Sequence, residues 1–196
     1  QSLKKRDADL AQRVIDTDVQ IDEREVDIEE ECLKILALHQ PVANDLRFIV
    51  SVLKINAELE RIGDATVGIA ERVSLLVNEQ IVDSPFDFVS MAQKAQQMLH
   101  KSLDAFINLD LPLAYDVIAS DDEVDALNRE MYGLMEDCIK KDPDRVDSYI
   151  HLLGISRHIE RIADHATNIA EEVIYLVEGK IVRHRTEEYR SGLSQD

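Results

Sequence analysis

One stretch of this sequence occurs twice. Glu60-Arg-Ile-Gly-Asp64-Ala-Thr-Val-Gly-Ile-Ala-Glu71 returns 100 residues later as Glu160-Arg-Ile-Ala-Asp164-His-Ala-Thr-Asn-Ile-Ala-Glu171. The register runs without a gap from 60 to 82 against 160 to 182, and 12 of the 23 pairs are identical. A copy that tolerates no insertion is one continuous element, and its apolar spacing makes that element a helix. At about 100° per residue, Ile155, Ile159, Ile162, Ala163, Ala166, Ile169, Ala170 and Val173 share one face. Glu160, Asp164 and Glu171 fall together on the opposite face. Helix packing does not require acids there, yet both copies keep them.

The repeat reaches further. Leu10-Ala11 and Val14-Ile15 match Leu113-Ala114 and Val117-Ile118 at an offset of 103, and Asp18-x-x-x-Asp22 then matches Asp121-x-x-x-Asp125. The offset falls from 103 to 100 because the connection around Pro41 is three residues longer than that around Pro143. The predicted helices span 8–38, 42–78, 85–108, 110–140 and 144–178. Pro41, Pro85, Pro112 and Pro143 punctuate them, Asp110 is a cap, and Gly179 is a stop. Residues 1–82 form the first unit and 83–182 the second. Residues 79–84 read as a linker and 183–196 as a frayed polar tail. Residue 1 aligns near Asp104, so the first unit is expected to lack the leading helix that 85–108 supplies to the second. That absence would expose apolar surface.

Forty acidic residues against 22 basic ones, net −18, argue against a nucleic-acid surface, which needs a basic patch. They favour a cation or a basic partner, although a soluble acidic surface gives the same balance. No apolar run approaches the roughly 20 residues of a membrane span, and no signal peptide is visible. Cys32 and Cys138 have no corresponding partners in the repeat and no C-x-x-C context, which suits two buried thiols in a reducing cytoplasm.

The acids of 8–38 are placed unusually. Asp18, Asp22, Glu25 and Glu29 lie within about 60° of one another, between an apolar stripe of Ile15, Val19, Val26 and Leu33 and another of Leu10, Ile21, Ile28 and Ile35. An ordinary solvated face is broad and mixed in charge. D-x-x-x-D and E-x-x-x-D each set two acids one turn apart, where like charges repel unless a cation offsets them. If the two acidic helices of a unit pack antiparallel, Asp18, Asp22, Glu60 and Asp64 converge in one unit, and Asp121, Asp125, Glu160 and Asp164 in the other. Oxygen-rich clusters suit Mg, Ca, Mn or iron, and zinc less decisively. Glu25, Glu29, Glu71, Glu171 and His165 are possible supports. Asn128 and Tyr132 replace Glu25 and Glu29 in the second unit, so the two sites should differ. Arg61 and Arg161 read as partners neutralising the acids beside them. His151, His158 and His165 share a helix edge away from the acid stripe.

L-E-R-I-G-D at 59–64, I-E-R-I-A-D-H-A-T-N-I-A-E at 159–171 and Q-P-V-A-N-D-L-R at 40–47 resemble the PhoU family of phosphate-specific transport system accessory proteins, over nearly the whole chain. The resemblance implies an all-α fold of two tandem, pseudo-symmetric three-helix bundles and often a homodimer. It also implies a regulatory role at the inner face of the cytoplasmic membrane, between a phosphate ABC transporter and a sensor histidine kinase. Phosphate-starvation genes would thereby stay off when phosphate is ample. It places metal clusters (iron, zinc, manganese or magnesium) on the paired acids named above. Ala65 and Gly68 depart from the pattern, where the second unit has the more typical His165 and Asn168. The expected function is that of a non-enzymatic metal-binding adaptor. The rival readings are a carboxylate-bridged metalloenzyme and a metal-free helical scaffold. None of the six histidines has Asp or Glu three residues before it, which disfavours the Glu-x-x-His arrangement of helical-bundle metalloenzymes.

Overall fold

A computed structural model describes residues 7–79 and 85–182. Most of the expected linker and the expected tail lie outside these residues. Among the described residues the chain forms five α-helices: α1 (Ala8–His39), α2 (Ala43–Asn78), α3 (Phe88–Asn108), α4 (Leu111–Lys141) and α5 (Val146–Glu178). Their ends follow from side-chain chemistry. The Asp7, Asp87 and Asp110 carboxylates accept backbone N–H groups in the first turns of α1, α3 and α4, satisfying donors that a helix cannot pair internally. This capping moves the start of α3 from the expected residue 85 to Phe88, because Asp87 accepts from the amides of Val89 and Ser90. Pro143–Arg145 forms a 3-10 turn, so α5 begins two residues later than expected. Gly179, at φ 74°, ends α5 in the left-handed region open to glycine.

The helix α5 is central. It packs against α2, α3 and α4, while α1 packs on α2 and α3 on α4. Met91, Ala95 and Met98 of α3, Val117, Val124 and Met131 of α4, and Ile155, Ile159 and Ala166 of α5 form one core, which Ala70, Val73 and Leu76 of α2 join. The two units therefore share an interior. Cys32 is buried as expected, but Cys138 is only half-buried at the edge of that core.

Between α1 and α2, Leu10, Val14, Ile21, Leu59, Ile62 and Thr66 line an open apolar groove of about 620 Å³. Their counterparts Val117, Val124, Ile159 and Ala166 in the second unit lie in the core that α3 closes.

The contact of α2 with α5 sets the geometry of everything below. Arg47 reaches the Leu176 carbonyl, Lys54 meets Glu172, and Glu58 meets His165 and Asn168. Further along, His158 lies over Gly68 and Arg72 over Gly154. As numbers rise on α2 they fall on α5, so the helices run antiparallel, and the pairing is symmetric about Gly63 and Ala163.

Candidate functional site

The acid pairs of each unit sit on neighbouring helices, α1 with α2 and α4 with α5, because each pair occupies the edge of its helix beside the shared interface. In the second unit Asp121, Asp125 and Asp164 each present an oxygen within 4.8 Å of the others. Among the described residues no other group of three or more His, Cys, Asp or Glu side chains is gathered this closely. Burial, then the charges of Asp164 and Asp125, raise the Asp121 carboxyl to about 6. Burial, then Glu160 and Asp125, raise Asp164 to about 6. Glu160 is raised for the same reasons, by burial and then by Asp125. It stands in the field of the trio without belonging to it.

Asp121 Oδ1 and Thr167 Oγ1 are both buried with no well-formed hydrogen bond, though the Thr167 hydroxyl lies close enough to pull the Asp121 carboxyl down somewhat. A buried acceptor normally has a donor or a cation to satisfy it. The crowded carboxylates and the weakly satisfied Asp121 oxygen fit an oxygen-coordinated ion. Asp121, Asp125 and Asp164 would hold it, with Glu160 in reach of its field.

The first unit brings the same four positions together more loosely. Burial raises the Asp18 carboxyl, and the charges of Asp22 and Asp64 add to this. Burial raises Glu60 as well, followed by Asp64, Asp22 and Glu25. Asp18 Oδ1 lies only 2.8 Å from where a Cβ on Gly63 would stand, so glycine there leaves the carboxylate its place. Glu25 is half-buried and joins the field of Glu60, whereas Glu29 is exposed.

Several expected roles change. Glu171 is buried, 8 % exposed, and does not continue an open acid stripe, because three helices cover α5 and leave it a narrower free face than a surface helix. Glu71 is exposed and lines a separate pocket with Arg72 and His158. His165 does not face the acid cluster as a support: its Nδ1 is 2.7 Å from Glu58 Oε2. Arg61 donates to Glu58 Oε1 at 2.7 Å, while its charge also opposes the upward shift of Glu60, as Arg161 does for Glu160 and Asp164.

Glu58 is the residue that sequence reasoning missed. It is 5 % exposed and accepts from Arg61 and from Asn168 Nδ2, the latter at 2.9 Å. Burial pushes its carboxyl up, but the hydrogen bonds of His165 and Asn168 outweigh this and hold it below the usual glutamate range. The signal was in the repeat. Position 58 is Glu where 158 is His, and the facing positions 165 and 168 differ from 65 and 68 as well.

The PhoU domain family matches residues 1–73 and 88–173. A phosphate-specific transport system accessory protein PhoU homolog of Aquifex aeolicus is 42% identical over 185 residues, covering 94% of this chain and 84% of that protein. The homolog of Pseudomonas aeruginosa is 40% identical over 181 residues, covering 91% and 74%. The crystal structure of PhoU from Pseudomonas aeruginosa superposes with a TM-score of 0.86 at 39% identity, covering 91% of this chain and 86% of that one. The phosphate transport system regulatory protein PhoU from Streptococcus pneumoniae superposes at 0.80 with 31% identity, covering 92% and 85%. Two matched segments, one per repeat, and a shared fold across these relatives agree with the duplication read from the residues: this chain belongs to the PhoU domain family.

Proposed function

We propose that this chain is a non-enzymatic regulator of phosphate transport, an adaptor that bears metal ions on its two acid clusters and links a phosphate ABC transporter to a sensor histidine kinase. Kinship with accessory proteins of phosphate-specific transport supports the physiological setting. The observation that carries the metal reading is the convergence of Asp121, Asp125 and Asp164 with a weakly satisfied oxygen on Asp121. An all-carboxylate set favours magnesium, manganese or iron over zinc. The ion would neutralise repulsion between α4 and α5 and fix their spacing. In this reading the tighter second cluster fills first, and the looser cluster of Asp18, Asp22, Glu60 and Asp64 fills second. The protein would work in the cytoplasm, as a homodimer at the inner face of the membrane. Among the described residues no helix is long and apolar enough to cross a bilayer, so attachment there would come from its partners.

The test combines elemental analysis with co-purification. The purified chain should carry metal, and replacing Asp121, Asp125, Glu160 and Asp164 together with Ala should remove it from the second cluster. Capture of the kinase and the transporter ATPase should fall when chelator is present. A metal-free scaffold would show no metal in the parent protein and equal capture with and without chelator.

A further inference from the structure

The pseudo-two-fold relation between the units makes each contact of α2 with α5 comparable with its counterpart, and two contacts do not match. On one side Lys54 Nζ lies 3.0 Å from both oxygens of Glu172, and Glu58 is satisfied by Asn168, His165 and Arg61. That half is closed by its own ion pairs. On the other side Arg72 stands in the position of Glu172, His158 in that of Glu58, and Arg161 in that of Arg61. The residues facing them are glycines. A Cβ on Gly154 would collide with the Arg72 guanidinium, and one on Gly68 with the His158 ring.

Two buried carboxylates have thus been exchanged for a guanidinium and an imidazole, and their partners have been deleted. What remains is an open pocket of about 490 Å³ lined by Arg72, His158 and Arg161. Arg72 Nε and His158 Nδ1 are buried with no hydrogen-bond partner. Arg161 has lost the acid three residues before it that Arg61 uses. Asp64 and Glu71 edge the pocket and, like Arg161, are exposed; Arg161 also lies in the field of Glu160 and Asp164 on its own helix.

We propose that this pocket binds a small oxyanion, in the open space faced by Arg72, His158 and Arg161. The planar forks of Arg72 and Arg161 suit the paired oxygens of a phosphate or sulfate. The openness of the pocket admits the ion either free or as the end group of a small phosphomonoester.

The test is isothermal titration calorimetry on the full chain, stripped of metal by chelator and dialysed into low salt. Inorganic phosphate, sulfate and glycerol phosphate are titrated separately, with chloride as the control. Binding of either inorganic ion above the chloride baseline is expected. Glycerol phosphate binding as tightly as phosphate assigns the site to a phosphoryl end group, and weaker binding assigns it to the free ion. Arg161→Ala should weaken binding by roughly tenfold to a hundredfold, the loss of a charge-assisted hydrogen bond. His158→Glu places a carboxylate three residues before Arg161, as Glu58 is before Arg61, and puts a negative charge into the pocket. It should abolish binding while circular dichroism and thermal midpoint hold or improve. The proposal is overturned if the metal-free protein binds none of the three anions. It is equally overturned if both folded variants bind as tightly as the parent, or if binding appears only after metal is restored, since the anion would then sit on the metal. Because the protein is metal-free throughout, the result stands apart from the metal reading of the acid clusters.

Discussion

Replacing Asp121 with Asn should make the metal-free protein more stable at neutral pH, against the usual expectation for removing a charged side chain. The folded state holds the Asp121 carboxyl at about 6, against an ordinary 3.8. Between those values the unfolded chain has released its proton while the folded protein retains it. Stability is therefore fully present below about pH 4 and is lost as pH rises through about 6. A shift of about two units corresponds to roughly 3 kcal/mol at 1.36 kcal/mol per unit. Asp164 rises to about 6 partly through the same charges, so the two costs overlap, and relief at one position is about 1–3 kcal/mol. Asn cannot ionise, nearly matches the protonated acid in shape, and keeps a carbonyl oxygen that can accept from the nearby Thr167 hydroxyl. Urea unfolding followed by far-UV circular dichroism in chelator should show Asp121→Asn ahead of the parent at pH 7, with equal slopes. The two should converge near pH 4. Adding magnesium or manganese should reverse the order, since an ion at a hundred times its Kd stabilises the parent by about 2.7 kcal/mol. A variant that is less stable than the parent at pH 7 in chelator, or a gap that is the same at pH 4 and pH 7, would refute the reasoning.

Glu58→Gln should cost about 1–3 kcal/mol at pH 7, because a buried acceptor of three donors loses its charge. Its carboxyl is held below the ordinary range, so the stabilisation exists above the unfolded value and is lost as pH falls through the folded one. Denaturation of parent and variant should therefore converge in acid. Gly63→Ala should strengthen α2 by about 0.5–1 kcal/mol yet displace Asp18, whose Oδ1 lies 2.8 Å from the new Cβ. Calorimetry in the Asp121→Asn, Asp164→Asn background should find cation affinity at the first cluster reduced, and unchanged affinity would show that Asp18 is not needed there. Ile155→Ala, fully buried on α5, should lower stability by about 2–5 kcal/mol in thermal or urea melts. A loss below 1 kcal/mol would mean that the core around α5 closes over the deletion.

The helices were legible because their punctuation is local. Asp110 and Gly179 carry in their own chemistry the start of α4 and the end of α5. The pairing of D-x-x-x-D with E-x-x-x-D helices was legible because it is written twice. Partners across α2 and α5 were not, since they depend on which helix is central. Glu171 looked like part of a free stripe until α5 proved to be covered on three sides. Arg61 sits between two acids in sequence, yet its partner is Glu58, three residues back on the same helix. Reading the repeat for its mismatches as well as its identities, Glu58 against His158 and Arg72 against Glu172, would have found both the buried network and the open pocket.

The Glu58–His165 contact lies between the clusters as well as between the helices. His165 follows Asp164 directly, and Glu58 is two residues before Glu60. A helix is too stiff to move one of these side chains without the other. An ion that shifted Asp164 would therefore disturb the contact of His165 with Glu58, two residues from Glu60, and any such coupling works equally in reverse. If both clusters hold ions as proposed, filling the tighter second one would change the affinity of the first through this contact, so the two would not fill independently.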